Sequence, residues 1–205
     1  MNGMHFLMRI LLKDLPEDAH ILSVGAGTGA EIMALAEAFP RWRFTAVEPA
    51  GAMLNEFRLK AEKAGITSRC TFHEGFLNTL PETNKFDAAT AILVSQFMFL
   101  KENRINFFEE IYERLKPGAF LISADLATPE NDELYENLKD FWARALMFAD
   151  FSEEKARAAT SGWKVSVSVI KPAEISSLIS SAGFLSPIVF YQSLFIHAWY
   201  SRVPG

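Results

Sequence analysis

The stretch ILSVGAGTGAE, residues 21–31, holds the residues whose type and spacing best suit ligand binding. Its first four residues favour a short buried strand, and apolar residues at helical spacing begin after the glycines. Gly25, Gly27 and Gly29 carry no Cβ and tolerate positive φ, so the backbone of this turn can come close to a ligand. A helix that starts at Ala30 presents unpaired N–H groups and the positive end of its dipole. The pattern predicts a loop that binds a nucleoside ligand.

Two glycine patterns fit this loop, and they point to different nucleosides. Gly25, Gly27 and Ala30 satisfy G-x-G-x-x-G/A, the dinucleotide pattern, whereas Gly25, Gly27 and Gly29 satisfy G-x-G-x-G. Glu48 ends the next predicted strand about 20 residues on, where either ligand would need a carboxylate for its ribose hydroxyls. The loop therefore leaves the identity of the nucleoside open. A tight strand-to-helix turn without a ligand is the alternative.

Further stretches along the chain resemble one family. Together with FTAVEPA, the glycine loop resembles the first two motifs of class I S-adenosylmethionine-dependent methyltransferases. FHEGFLNTLP, KFDAATAILVSQF and ERLKPGAFLISADL resemble the later motifs in order and spacing, so the resemblance covers roughly residues 19–126. It implies an α/β, Rossmann-like doubly wound fold: a seven-stranded, mostly parallel sheet with an antiparallel last strand. It also implies S-adenosylmethionine as cofactor and methyl transfer to a small-molecule acceptor.

The resemblance assigns parts of the cofactor to particular residues. The glycine loop would lie against the amino-acid part, Glu48 would hold the ribose, and residues after the second and third strands would border the adenine. Nine cofactor-binding residues are implied: Gly25, Ala26, Gly27, Glu48, Pro49, Met53, Gly75, Phe76 and Ser95. Asn78 is a further polar candidate near the adenine. Ordinary core packing is the alternative for both Met53 and Phe76.

The end of the predicted central strand, residues 86–94, carries the candidates for the acceptor side. In doubly wound sheets ligands lie beyond the carboxyl ends of the strands, so we expect Ser95 and Gln96 to face the transferable methyl and the acceptor. The alternative for Gln96 is a helix-start residue that bonds to the backbone. Neither a histidine nor a lysine stands at a motif position that would supply a general base.

Two positions depart from the family pattern. The family usually has an acidic residue two places before the first glycine, but Ser23 stands here, so a contact to the methionine amino group must be weaker or come from elsewhere. Glu31 is a candidate substitute; alternatively, it is a solvated acid that favours the dipole of the first helical turn. Phe76 replaces an aspartate that commonly accepts from the adenine amino group, and its ring is expected to pack on the base instead.

Segments outside the motifs surround the predicted pocket. Residues 4–15 predict a helix that packs on the core, with His5 and Arg9 as weaker pocket candidates. Residues 129–165 predict a small helical cap after the fifth strand, entered through a Thr128 N-cap. Its candidate wall residues are Tyr135, Trp142, Met147 and Trp163, for which packing of the cap onto the body or a dimer face is the alternative. A homodimer is expected to form through the cap or the N-terminal helix.

Length, charge and cysteine content limit the remaining classes. The 205 residues, half of them apolar, suit one domain, residues 1–205, and the formal charge of −5 disfavours nucleic acid as partner. No uncharged apolar run reaches transmembrane length, so no membrane partner is expected. Cys70 is the single cysteine, which excludes a disulfide within the chain and favours a reducing cytoplasm. The four histidines are scattered, so no metal site is predicted.

Three other functions remain compatible with these motifs. An NAD-binding Rossmann protein would need a second nucleotide-binding half, and two β-rich runs within residues 188–200, joined by a turn at 192–193, instead predict a closing antiparallel hairpin. An enzyme that modifies S-adenosylmethionine itself would share every motif. A non-catalytic binding module on the same fold would be compatible with the departures at Ser23 and Phe76.

Overall fold

The computed structural model describes residues 2–82, 84–129, 131–161 and 166–205. The strands are β1 (His20–Val24), β2 (Arg43–Glu48), β3 (Cys70–Glu74), β4 (Phe86–Ile92), β5 (Leu115–Leu126), β6 (Ile188–Ser193) and β7 (Ile196–Arg202). The α-helices are α1 (Asn2–Leu12), α2 (Ala30–Ala38), α3 (Gly51–Lys63), α4 (Lys101–Glu113), α5 (Asp132–Phe148), α6 (Glu153–Ser161) and α7 (Pro172–Ser181). Short 3₁₀ turns form at Thr67–Arg69, Leu77–Thr79 and Ser95–Phe97.

The strands form a seven-stranded sheet in the order β3-β2-β1-β4-β5-β7-β6. β1 to β5 pair in parallel, whereas β7 lies antiparallel between β5 and β6. This order confirms the predicted doubly wound sheet with an antiparallel last strand. It places the carboxyl ends of β3, β2, β1, β4 and β5 next to one another along one edge of the sheet, where ligands bind in such folds.

Two apolar clusters cover the two faces of the sheet. On one face the buried side chains come from α1, α2 and α3, among them Met8, Leu35 and Phe57. On the other face they come from α4 and α7, among them Phe108 and Ile179. Burial on both faces explains why β1 and β4 are nearly continuous apolar runs.

Several local predictions need correction. Pro117-Gly118 is typical of a turn that precedes a strand, but both residues lie inside β5, which begins at Leu115; the β4–β5 pairing shifts there from Phe86–Leu115 to Ala88–Phe120, so the extra residues lie on β5. The N-cap of α5 is Asn131, not Thr128; the Asn131 side chain accepts a hydrogen bond from the Leu134 N–H at 2.8 Å, as a helix start requires. The hairpin turn lies at residues 194–195 rather than 192–193.

Candidate functional site

The glycine loop after β1 leaves no room for a side chain at Gly25 and Gly29 and little room at Gly27. Gly25 and Gly27 have φ values of 68° and 54°. A Cβ on Gly25 would lie 2.4 Å from Cγ2 of Val94, and one on Gly27 would lie 3.2 Å from Cε of Met53. The Gly25 N–H also donates to the Val47 carbonyl at 2.8 Å, which fixes the loop against β2. The loop is thus a rigid, side-chain-free backbone surface at the ligand-binding edge of the sheet.

Glu48 ties this loop to its neighbours. One carboxylate oxygen accepts from the Gly27 N–H at 2.9 Å and the other from the Ala50 N–H at 2.8 Å. The Glu48 carbonyl accepts from the Gly75 N–H at 3.2 Å. The side chain is largely buried, yet each carboxylate oxygen keeps a lone pair for a further donor. The structure therefore brings Gly27, Glu48 and Gly75 together, as the sequence predicted.

Apolar side chains lie exposed beside this carboxylate. Met53 is 44% exposed and reaches Gly27, and Phe76 is 67% exposed beyond the end of β3. Core packing therefore does not account for either side chain. Pro49 and Asn78 are exposed at the same edge. An exposed thioether and ring next to a carboxylate with free lone pairs are suited to a flat nucleoside base.

Glu31 lies buried against Ser23 rather than in solvent. The residue is 6% exposed, and the Ser23 hydroxyl donates to its carboxylate at 2.5 Å. Burial raises the pKa of Glu31, the bonds from Ser23 and from its own backbone N–H lower it, and the nearby charge of Glu48 raises it. The interpretation of Glu31 as a solvated first-turn acid is therefore wrong.

The residues after β4 form a buried polar cluster with β5. The Ser95 hydroxyl donates to Asp125 at 2.6 Å, and the Gln96 backbone N–H donates to the other Asp125 oxygen at 2.9 Å. The Gln96 side-chain oxygen accepts from the Leu126 N–H at 3.0 Å. Ser95 and Gln96 thus bond to the protein itself, which matches the backbone-bonding alternative for Gln96. Their contact with an acceptor stays a prediction.

Asp125 and Arg104 complete this cluster, and neither was predicted as a site residue. Burial raises the pKa of Asp125 to about 6, against the lowering effects of the Ser95 bond, the Arg104 charge and the Gln96 N–H. The guanidinium of Arg104 donates to the carbonyls of Met98 and Ser168, which fixes the loop after β4. A sequence signal for Arg104 existed, because the residue falls on the apolar stripe of α4 four places before Phe108.

A run of exposed apolar side chains follows the cluster directly. Phe97, Phe99 and Leu100 are each more than half exposed at the carboxyl end of β4. These three residues were not predicted as site residues, although a run of apolar residues between a strand and a helix is a visible signal in the sequence. They offer an apolar surface next to Ser95 and Gln96.

The cap helices pack onto the body through one ring. Tyr135 and Trp142 on α5 contact Phe195, with ring centroids 5.5 Å and 6.1 Å apart. The packing interpretation therefore describes these two side chains, while a role in the pocket wall stays a prediction for them and for half-buried Met147. Trp163 lies outside the described residues.

The N-terminal candidates lie on a different surface. His5 and Arg9 line a recess of about 850 Å³ on the outer side of α2, and the cofactor residues predicted from the motifs do not line it. Arg9 donates to the Ala34 carbonyl and pairs with Glu37 at 2.8 Å, so it braces α1 against α2. In the part of the chain that the structure describes, no group of three potential ligands could hold a metal ion, and no helix is long and apolar enough to span a membrane.

The decisive observation is the match of this motif-bearing region to a family model. Residues 21–118, which hold the loop, Glu48 and the end of β4, match the model described as a methyltransferase domain. Over these residues the chain is a class I S-adenosylmethionine-dependent methyltransferase domain. The cofactor of this family fits the site, since a Cβ on Gly25 would clash with Val94, Glu48 keeps free lone pairs, and exposed apolar side chains lie beside it.

Three known proteins show the extent of the likeness. The biotin biosynthesis bifunctional protein BioHC of Teredinibacter turnerae is 30% identical over 135 residues, which are 63% of this chain and 22% of that protein. Aclacinomycin 10-hydroxylase RdmB of Streptomyces purpurascens is 35% identical over 117 residues, 55% of this chain and 29% of that protein. Human N-acetylserotonin methyltransferase, solved with S-adenosylmethionine, has the same fold at a TM-score of 0.68 and 18% identity, covering 100% of this chain and 52% of the human one. The chain therefore spans only part of the proteins it resembles.

Proposed function

We propose that this methyltransferase-family chain binds S-adenosylmethionine and transfers its methyl group to a small-molecule acceptor. The observation that carries the proposal is the Gly27–Glu48 bond, which joins the side-chain-free loop to a carboxylate with free lone pairs. When bound, the cofactor supplies a sulfonium methyl that is already activated for transfer. The chain's own task is then to hold the reactants in position and to exclude water.

Each element of the edge has a distinct part in this task. The backbone at Gly25 and Gly27 admits the amino-acid end at close range, and Glu48 accepts hydrogen bonds from the ribose hydroxyls. Met53 and Phe76 cover the adenine. The buried bonds among Ser95, Gln96 and Asp125 hold the loop after β4 in place, so that the acceptor meets a fixed wall.

The acceptor proposed for this edge is small and at least partly apolar. Phe97, Phe99 and Leu100 are exposed beside Ser95 and Gln96, where burial of an apolar acceptor would be favourable. The net charge of −5 gives no general attraction to nucleic acid. A cytoplasmic location and a homodimer through the cap or α1 stay predictions from the sequence.

Isothermal titration with S-adenosylmethionine, S-adenosylhomocysteine and NAD tests the cofactor. We expect binding of the first two and none of NAD, because the sheet order with an antiparallel β7 differs from that of dinucleotide-binding folds. Glu48→Gln should weaken binding at least about tenfold. Glu62→Gln, an exposed carboxylate on α3, is the matched control and should bind as the wild type does.

The other outcomes separate the alternatives. Binding of NAD alone would replace the proposal with a dinucleotide-binding function. If none of the three ligands binds, a non-catalytic binding module would be favoured. A chain that consumes S-adenosylmethionine without any added acceptor would be an enzyme that modifies the cofactor itself.

The name of one relative points to hydroxylation as a second reaction that should be tested. RdmB is named a hydroxylase, so candidate acceptors should be incubated with S-adenosylmethionine in air with an added reductant, because hydroxylation by dioxygen consumes two electrons, and the products should be examined by mass spectrometry. Products that carry the methyl of isotopically labelled cofactor support methyl transfer. Products that gain an oxygen and no label support hydroxylation instead.

A further inference from the structure

Glu31 is a buried carboxylate that lacks a counter-ion in the protein. The residue is 6% exposed, and no lysine, arginine or histidine of the described ranges forms an ion pair with it. The hydroxyl of Ser23 is the side-chain group that donates to it, at 2.5 Å. An ionised carboxylate in such a place is costly unless a cation accompanies it. The carboxylate of Glu31 therefore has a hydrogen-bond donor in the described protein but no cation.

The position of this carboxylate relates it to the ligand-binding loop. Ser23 lies two residues before Gly25 and Glu31 lies two residues after Gly29, so their bond closes the loop at its base. Glu48, at the end of β2, is a second buried carboxylate, and it accepts a hydrogen bond from the Gly27 N–H of this loop. The two carboxylates are close enough for the charge of Glu48 to raise the pKa of Glu31. Two buried carboxylates thus lie at this loop, one at its base and one on the Gly27 N–H.

We infer that Glu31 binds the α-ammonium group at the amino-acid end of S-adenosylmethionine, with Ser23 as the positioning residue. The inference rests on the proposed function and extends it to a residue pair. The amino-acid end of the cofactor carries the primary ammonium that such a site requires. Ser23 holds one carboxylate oxygen by its hydroxyl and leaves the other for the ammonium. Ser23 carries no charge and cannot replace the carboxylate, whereas its bond orients the carboxylate of Glu31.

The competing explanation is that Glu31 only braces the loop. A protonated Glu31 bonded to Ser23 would stabilise the turn in the same way with or without a ligand. The two explanations differ in one respect: only the first makes binding depend on the ammonium group of the ligand.

Two nucleosides that differ at this group make the test. S-adenosylhomocysteine carries the ammonium, whereas 5′-methylthioadenosine has the same nucleoside and sulfur but no amino-acid end. In calorimetric titrations, Glu31→Gln should weaken the binding of S-adenosylhomocysteine about tenfold to a hundredfold, which corresponds to the loss of one charged hydrogen bond. Binding of 5′-methylthioadenosine should change less than about threefold. An equal loss for both ligands would overturn the inference and favour the brace.

A compensating variant and a ligand analogue protect the test against misfolding. Ser23→Asp combined with Glu31→Gln returns a carboxylate to the same place, since the two side chains lie 2.5 Å apart, and should restore binding of S-adenosylhomocysteine. Should Glu31→Gln fail to fold, the wild type alone decides: S-adenosylhomocysteine must bind at least about tenfold more tightly than its deaminated analogue. Equal affinities would overturn the inference.

The outcomes also distinguish this inference from the proposed function. A wild-type chain that binds S-adenosylhomocysteine, with Glu31→Gln unaffected, would leave the proposed function standing and remove only the role of Glu31. A wild-type chain that binds neither S-adenosylmethionine nor S-adenosylhomocysteine would overturn both.

Discussion

The two halves of the ligand-binding edge present their polar groups in opposite ways. At the ends of β1 and β2, the backbone of Gly27 holds the carboxylate of Glu48, and apolar Met53 remains exposed beside it. At the ends of β4 and β5, Ser95 and Asp125 are turned inward to each other, and the exposed surface consists of rings such as Phe97. The first half offers charge and backbone to a ligand, whereas the second offers apolar surface on a buried polar support. This difference is what a polar cofactor and a variable acceptor would require.

Filling the glycine loop should break the cofactor half most severely. Gly29 has φ +76°, and a Cβ there would lie 2.0 Å from the buried ring of Phe57. Gly29→Ala should lower the free energy of unfolding by roughly 2–5 kcal/mol, from backbone strain and overpacking together. Gly65→Ala is the matched control, because Gly65 has φ +68° but nothing within 4 Å of the new Cβ, and should lose only roughly 1–2 kcal/mol. Equal losses in urea unfolding would contradict the steric part of this account.

The buried support of the acceptor half should respond to pH. The pKa of Asp125 is raised from its ordinary value of 3.8 to about 6, so the folded state binds its proton more tightly than the unfolded state. The corresponding stability is fully present below pH 3.8 and is lost as the pH rises through about 6. Between pH 7 and pH 4, the wild type should gain up to roughly 3 kcal/mol relative to Asp125→Asn. If the free energy of unfolding changed with pH equally in the wild type and in Asp125→Asn, Asp125 would not titrate in this way.

Removal of the Ser95 hydroxyl sharpens the same comparison. Ser95→Ala deprives Asp125 of a hydrogen bond inside the protein and should cost roughly 1–3 kcal/mol in urea unfolding. Ser123→Ala is the control: Ser123 is equally buried, but its hydroxyl has no partner among the residues that the structure describes, so its loss should be nearly neutral. If Ser95→Ala were as stable as the wild type, the Ser95 hydroxyl would not stabilise Asp125, and the prediction that it faces the acceptor would be favoured instead.

The smallest effects should separate the two exposed surfaces. Met53→Ser and Phe97→Ser both replace an exposed apolar side chain, so each should change stability by less than about 0.5 kcal/mol. Met53→Ser should weaken the binding of S-adenosylhomocysteine roughly threefold to tenfold, because it removes apolar contact with the adenine. Phe97→Ser should leave that affinity unchanged in the same titration. A loss of affinity in Phe97→Ser would place its ring on the cofactor side.

The sequence was most informative where the backbone itself forms the site. Glycines at 25 and 27 followed by Glu48 predicted a side-chain-free loop and a carboxylate beside it, and the structure has the Gly27–Glu48 bond. These features depend on local conformation and on residue spacing, which can be predicted from the sequence alone. The orientation of Ser95 was harder to predict, because its partner Asp125 lies 30 residues away.

The order of strands and helices along the chain and the glycine loop could be predicted from the amino-acid sequence, because hydrophobic period, turn residues and motif spacing are local properties. The pairing of polar side chains depends instead on the folded structure. Glu31 became a buried partner of Ser23, and Arg104 on the apolar stripe of α4 became a tie between distant loops. The physical reason is that burial and hydrogen bonding are settled by neighbours from other elements, and a buried polar group must find its partner wherever the fold brings one.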